Sequence, residues 1–383
     1  MASTKTIDDS HLNWYVAREP LVLVILSAAA ISLFFAVTAL SRLYNAQQLE
    51  HGSQWFQRGK NELNTGRPEL ASKSFQVAVS YAPADFKYQL SLAQSLLALN
   101  NTEQALQYLG NLWQREPENG TVNLELARIY AGKDDLTRAL RYYHNAIYAI
   151  WNEDPEAQRR AVRLELTEFL LKRQAHGQAE SELIALEGTL PDDPNLIAHL
   201  GDLFMQIPDY ERALAGYQKS LKLMRKNPAA LAGAGHAAFE LERYGEAEGY
   251  LKAVLSINPT DNESASLLET AQLVLAMNPY RTGLSSNRRK RIVADDFNAA
   301  GVRLKSCLAS VASNPSAVAQ LDPLSSQWLQ MQPKISRRAF DQDTTDAAMD
   351  LVFSIERQTI QYCAAPQGED LALLLISKSR EGD

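Results

Sequence analysis

Small and large apolar residues recur in fixed columns along the middle of the chain. Alanine stands at Ala71, Ala105, Ala139, Ala179, Ala213 and Ala247, at steps of 34 residues except for one of 40. Twelve residues before each comes Gly59, Ala93, Ala127, Thr167, Gly201 or Gly235, and four after each comes Phe75, Leu109, Tyr143, Leu183, Tyr217 or Leu251. Three further on lie Ala78, Leu112, Ala146, Leu186, Ser220 and Val254, so the spacing predicts a helix with one apolar face in every copy. The small residues of the earlier column predict a first helix that meets its neighbour backbone to backbone. Pro83, Pro117, Pro191 and Pro259 stop four of the second helices. A period held this far predicts stacked copies of one helical hairpin.

These columns, with Trp55 in an aromatic position near the start of the first copy, resemble the tetratricopeptide repeat over residues 52–260. The resemblance implies an all-α fold in which about six hairpins build a right-handed solenoid. Between the third and fourth copies Tyr148–Arg160 adds about six residues, and Trp151 takes the place of the closing proline; a longer second helix in the third hairpin is the expectation. After Pro259, the run Asn262–Met277 has helical spacing through Leu267, Leu268, Ala271 and Leu275 and is expected to cap the array with one wetted face, which puts the solenoid at residues 52–278.

A different pattern precedes the repeats. From Pro20 to Leu40 there is no charge, and only Ser27, Ser32 and Thr38 interrupt the apolar residues with a hydroxyl. At about 1.5 Å per residue such a helix spans a bilayer core, so a transmembrane helix is expected at residues 20–41 behind a cytoplasmic segment, 1–19. The competing reading is a cleaved signal peptide with a small-residue site at Val37–Ala39, although the apolar run is longer and its leading segment less basic than such peptides carry. Lys5 and Arg18 precede the run and Arg42 alone follows closely, which favours repeats on the far side of the inner membrane, in the periplasm of a bacterium.

Residues 279–383 depart from the repeat. NPYRTGLSSNRRKR combines turn formers with a basic run, Arg288–Arg291, and reads as a connector into a charged helix start. Beyond it Phe297, Ala300, Leu304, Leu308 and Val311 share one helical face, and Ala348, Val352, Ile355, Thr359 and Tyr362 share another. Pro315, Pro323 and Pro333 are expected to interrupt the stretch between them, and LALLLI from Leu371 fits strand or helix. The expectation is a mainly helical appendage. Cys307 and Cys363, the only cysteines, are either a disulfide suited to an oxidising compartment or two buried thiols.

Motifs for bond-making chemistry are missing from the sequence. It has no phosphate-binding glycine loop, HExxH or nucleophile elbow, and its six histidines lack metal-ligand spacing. A net charge of −7 argues against a nucleic-acid partner. The expectation is therefore a protein that is not an enzyme and uses no cofactor or metal.

What stacked hairpins offer is surface. Lys60, Gln94, Arg128, Glu168, Asp202 and His236 each follow the small residue of a first helix and should face the channel lined by those helices, basic in the first half and acidic in the second. Phe56, Leu90 and Leu124 run beside them as apolar pockets or, equally, as ordinary packing. The repeat resemblance implies a membrane-anchored scaffold or adaptor of the cell envelope whose partners are proteins or peptide segments. The alternatives are an unrecognised enzymatic or ligand-binding domain after residue 279, or repeats that face the cytoplasm as a docking platform.

Overall fold

A computed structural model describes residues 10–337 and 340–381, with side chains over 22–337 and 340–380. Lys5 and the first part of the expected cytoplasmic segment lie outside the described residues. Two compact units emerge, the first ending at Arg163 and the second beginning at Leu164.

The first unit contains α1 (Ser10–Asn64), α2 (Pro68–Tyr81), α3 (Phe86–Ala98), α4 (Thr102–Arg115), α5 (Gly120–Gly132), α6 (Leu136–Ile147) and the start of α7 (Pro155–Lys172). The columns become contacts at once. A Cβ on Gly59 would lie 2.6 Å from the ring of Phe75, and in the second unit a Cβ on Gly201 would lie 2.7 Å from Tyr217 and one on Gly235 2.7 Å from Leu251. The early column is small because the large residue sixteen positions later rests on it. The marker alanines are closed off entirely, each of the six at 0% exposure.

The first helices start on a shared device. Asp85, Asn119, Asp193, Asn227 and Asp261 each stand before a first helix and accept a backbone N–H of its first turn, which satisfies a donor that has no partner within the helix. The turn between the helices of a hairpin has its own column as well. Gly66, Asn100, Asp134, Gln174 and Glu242 all hold a positive φ, between 57° and 71°. In the fifth hairpin the column is filled by Pro208, whose ring fixes φ negative, and the turn there takes another form.

The helix expected over residues 20–41 lies within a longer one: α1 runs unbroken from Ser10 to Asn64, so the apolar run continues into the first helix of the first repeat. Two expectations are corrected. The extra residues of the third hairpin do not lengthen its second helix, since α6 ends at Ile147. They form a turn and extend α7 to 18 residues against 13 in α3, α5, α9 and α11. Pro155 opens α7 because a helix's first turn needs no N–H from it. The last correction concerns Pro323 and Pro333, which lie inside a helix. The carbonyls they leave without a donor belong to Ala319 and Leu329, both exposed, so water can take the place of the missing N–H.

The second unit continues with α8 (His176–Glu187), α9 (Pro194–Gln206), α10 (Tyr210–Leu223), α11 (Pro228–Glu240), α12 (Tyr244–Ile257) and α13 (Asn262–Met277). Four longer segments follow: α14 (Ser286–Ser310), α15 (Pro315–Ser336), α16 (Gln342–Tyr362) and α17 (Glu369–Glu381). α13 packs on α12 as expected, but α17 covers it from another side, so its expected wetted face is partly buried. Phe297 and Trp328 stack at 5.4 Å, and the indole N–H donates to the Phe297 carbonyl. Gly301 clears room for that indole. Cys307 in α14 and Cys363 at the end of α16 are joined by a disulfide. Arg303, one turn before Cys307, donates to Thr359 at 3.1 Å, to the Ala364 carbonyl at 2.8 Å and to Asp370 at 3.1 Å, and lies 3.3 Å from Glu356.

Candidate interaction face

In the first unit, α1 supplies Phe56 and Lys60, α3 supplies Leu90 and Gln94, and α5 supplies Leu124 and Arg128. Phe56 stacks on Tyr88 at 4.8 Å and leans on Phe75 at 5.6 Å, while the Lys60 ammonium sits 5.9 Å above the Phe56 ring. Phe56 and Leu90 are half-buried and Leu124 is buried, so Leu124 is spent on packing. Gln94 donates to Glu125 at 3.0 Å, and Arg128 lies 3.7 Å from the same carboxylate. Glu125 stands three residues before the charged column and one after Leu124. It tempers the positive charge that the sequence assigns to this half.

The second unit gathers its acidic residues more tightly. From α7, Glu168 lies 4.0 Å from His199 of α9, and His199 lies 3.8 Å from Asp202 one turn further on. Tyr217 of α10 donates its hydroxyl to Asp202 at 2.7 Å. Its ring passes between Gly201 and Gly233, where a Cβ on Gly233 would come within 2.3 Å. Burial, with the Asp202 charge behind it, pushes the phenol far above its ordinary range, so the hydroxyl stays a donor. On α11, His236 lies 3.6 Å from Glu240 and 3.7 Å from Glu263 of α13.

Asp202, Tyr217, His236, Glu240 and Glu263 line a cavity of about 510 Å³ together with Met205, Tyr210 and Asp261, with no lysine or arginine among its walls. The backbone N–H and the hydroxyl of Ser264 hold the Asp261 carboxyl below the usual carboxylate range. Such a site suits cationic side chains flanked by apolar ones, with Met205, Tyr210 and Leu267 as apolar wall. The structure thus brings Glu168, Asp202 and His236 onto one run of first helices. His199, Glu240 and Glu263 belong to it from outside the columns, and Tyr217 joins it from the second helix α10 through its hydroxyl. Among the described residues, no group of histidine, cysteine and carboxylate side chains is placed to hold a metal ion.

The repeat columns are matched by family models described as tetratricopeptide repeat, over residues 56–113, 96–144 and 209–271. Those stretches are tetratricopeptide repeats. The models skip the stretch from 145 to 208, where the six-residue insertion breaks the phase and Thr167 replaces a smaller residue. No curated protein matches the chain. Similar solved structures include PilF of Pseudomonas aeruginosa, at 16% identity over 57% of this chain and 97% of that one, with a TM-score of 0.41. The C-terminal part of a repeat protein from Cytophaga hutchinsonii aligns at 14% identity over 59% of this chain and 92% of that one, with a TM-score of 0.47. Repeats of this family bind proteins and peptides, and the tetratricopeptide array here is an interaction scaffold on that ground.

Proposed function

We propose that the protein is a single-pass, membrane-anchored adaptor of the bacterial cell envelope, with its repeats on the periplasmic side, and that the acidic face of the second unit takes basic segments of partner proteins. The observation that carries this reading is α1. Within it Val22–Asn64 contains a window apolar enough to cross a membrane, of which none is buried, and a helix apolar all round and left uncovered needs lipid. Because the same helix becomes the first helix of the first repeat, the anchor and the array share one backbone with no linker between them.

The side of the membrane is supported by two further arguments. Lys5 and Arg18 precede the apolar run against Arg42 alone close behind it, and the Cys307–Cys363 disulfide belongs in an oxidising compartment. The reading assigns no bond-making step to the chain. Protease added to intact cells tests it: the repeats should be protected until the outer layer is permeabilised, and should then be digested down to a fragment containing α1. Repeats that survive permeabilisation would place them in the cytoplasm, and a mature protein whose mass lacks residues before 40 would replace the anchor by a processed leader.

A further inference from the structure

The third hairpin carries an element that the repeat does not require. Between α6 and α7 the inserted residues form a turn fixed at several points. Ile150 donates to the Glu118 carbonyl at 2.9 Å and accepts from Gly120 N–H at 3.2 Å. The Trp151 ring lies on Gly120, where a Cβ would come within 2.4 Å of it, and its indole N–H donates to Ala146 at 2.9 Å. Arg159 reaches back to the Ala149 carbonyl, and Asp154 caps α7 by accepting from Ala157 N–H.

What this fixed turn presents to solvent is apolar. Tyr148 is 76% exposed, more than any other large hydrophobic side chain among the described residues, and Ile150 is 65% exposed. Glu116 and Glu118, on the loop whose Glu118 carbonyl accepts from Ile150 N–H, and Glu153 on the turn itself are exposed. Arg115 is held by the Ala84 carbonyl and Arg159 by Glu156. Two apolar anchors on a fixed turn, with exposed carboxylates on that turn and on the loop bonded to it, have the anatomy of a binding hot spot, and their ordering has already been done by folding.

We propose that the Tyr148–Ile150 turn is a docking surface separate from the acidic face of the second unit, and that its partner is an amphipathic segment in which basic and apolar side chains alternate. The apolar side chains would cover Tyr148 and Ile150, and the basic ones would meet Glu116, Glu118 and Glu153. The inference stands independently of the membrane anchor.

The test uses the full chain in neutral-detergent micelles, with empty micelles as reference, and a short fluorescent peptide of alternating leucine and lysine read by anisotropy. Tyr148→Ser combined with Ile150→Ser should weaken binding by about tenfold or more while leaving helix content and melting temperature unchanged, since neither side chain is packed. Gly120→Val keeps both anchors but unseats Trp151, and should weaken binding as well. The counterpart peptide with glutamate for lysine should not bind. Asp202→Asn with Glu263→Gln separates any peptide held on the second unit, so failure of one surface does not count against the other. Equal affinity of the wild type and the double-serine variant would overturn the proposal, as would a glutamate peptide that binds equally well. Sedimentation showing that the double-serine change abolishes self-association would assign the turn to a second copy of the chain and overturn it too.

Discussion

Within the second unit, the repeats and the four helices after Ser286 handle polar groups in opposite ways. The repeats keep their charges wet and near in sequence: Arg243 bonds Glu211 across 32 residues, and Arg212 meets Glu187 and Asp209. The C-terminal helices bury a central set of theirs, and it reaches far. Arg303 is 11% exposed at its side chain and holds partners 56, 61 and 67 residues away, while Asp296 and Glu356 are 1% exposed each. A repeat array is stabilised by contacts between neighbours and tolerates damage locally. A block closed by distant buried groups is sensitive to the state of each group. The two regions should therefore respond differently to redox conditions and to pH.

The largest contrast should come from the disulfide. It closes a loop with a sequence separation of 56, and chain-entropy arguments give such a link about 4 kcal/mol. Replacing Cys307 and Cys363 by serine should therefore loosen α14, α16 and α17, seen as faster amide hydrogen exchange there, with exchange in α9–α11 unchanged. Equal acceleration in both regions would show that the block and the repeats share one cooperative unit.

Next in size is the pH response. Burial, reinforced by the nearby charges of Asp295 and Glu369, pushes Asp296 up to about 9. Glu356 is pushed up to about 8 by burial and by Asp370, against the pull of Arg303. Burial also raises Asp370, and one guanidinium between two carboxyls can neutralise only one of them. A carboxyl that holds its proton more tightly folded than unfolded contributes stability that is fully present below about pH 4 and declines as pH rises, until it is lost above the folded value. The block should thus weaken steadily from mildly acid solution to about pH 9. Asp296→Asn, which keeps the neutral form, should flatten that decline and raise block stability at pH 8 by on the order of 3 kcal/mol. Unchanged pH dependence of exchange in α14 and α16 would refute the assignment. The repeats carry no comparable buried acid except Glu62, and that one is held low, chiefly by the Ser74 hydroxyl.

Volume changes within the repeats test the small–large columns themselves. Gly235→Ala drives a methyl to 2.7 Å from Leu251 and should cost about 1–3 kcal/mol. Gly249→Ala, in the middle of α12 with nothing within 4 Å of the new methyl, should instead stabilise by about 0.5–1 kcal/mol. Thermal unfolding of the two variants, one shifted down and the other up, checks the column rule directly.

That rule was legible in the sequence because a fixed period converts each small–large pair into a contact: Gly59 with Phe75, Gly201 with Tyr217 and Gly235 with Leu251 need no further information. The inner face was legible only for residues that follow the small column. Tyr217 read as packing, and its hydroxyl reaches Asp202 only because Gly201 and Gly233 both clear its ring, a coincidence of two helices that no single column records. Glu125 and His199 stand off the register for a similar reason. After Ser286 the apolar faces of α14 and α16 could be read, but not Asp296, since a charge in a helical pattern ordinarily marks solvent. Pro323 and Pro333 misled for the same kind of reason: their cost depends on whether Ala319 and Leu329 face water, which is a fact of packing.

The smallest test concerns a column that the sequence did carry and that is easy to overlook. Gly66, Asn100, Asp134, Gln174 and Glu242 hold the left-handed turn between the two helices of a hairpin. Gly pays no steric penalty there, Asn and Asp are tolerated because their short side chains bond locally, and a longer side chain is strained. Glu242→Gly should therefore stabilise the sixth hairpin by about 0.5–1 kcal/mol, the relief of strain outweighing the added freedom of the unfolded chain. Asn100→Gly should give less. A Glu242→Gly variant that melts lower than the parent would mean that the Glu242 side chain contributes more through its surroundings than its backbone costs, and the turn column would then lose its claim to a shared physical cause.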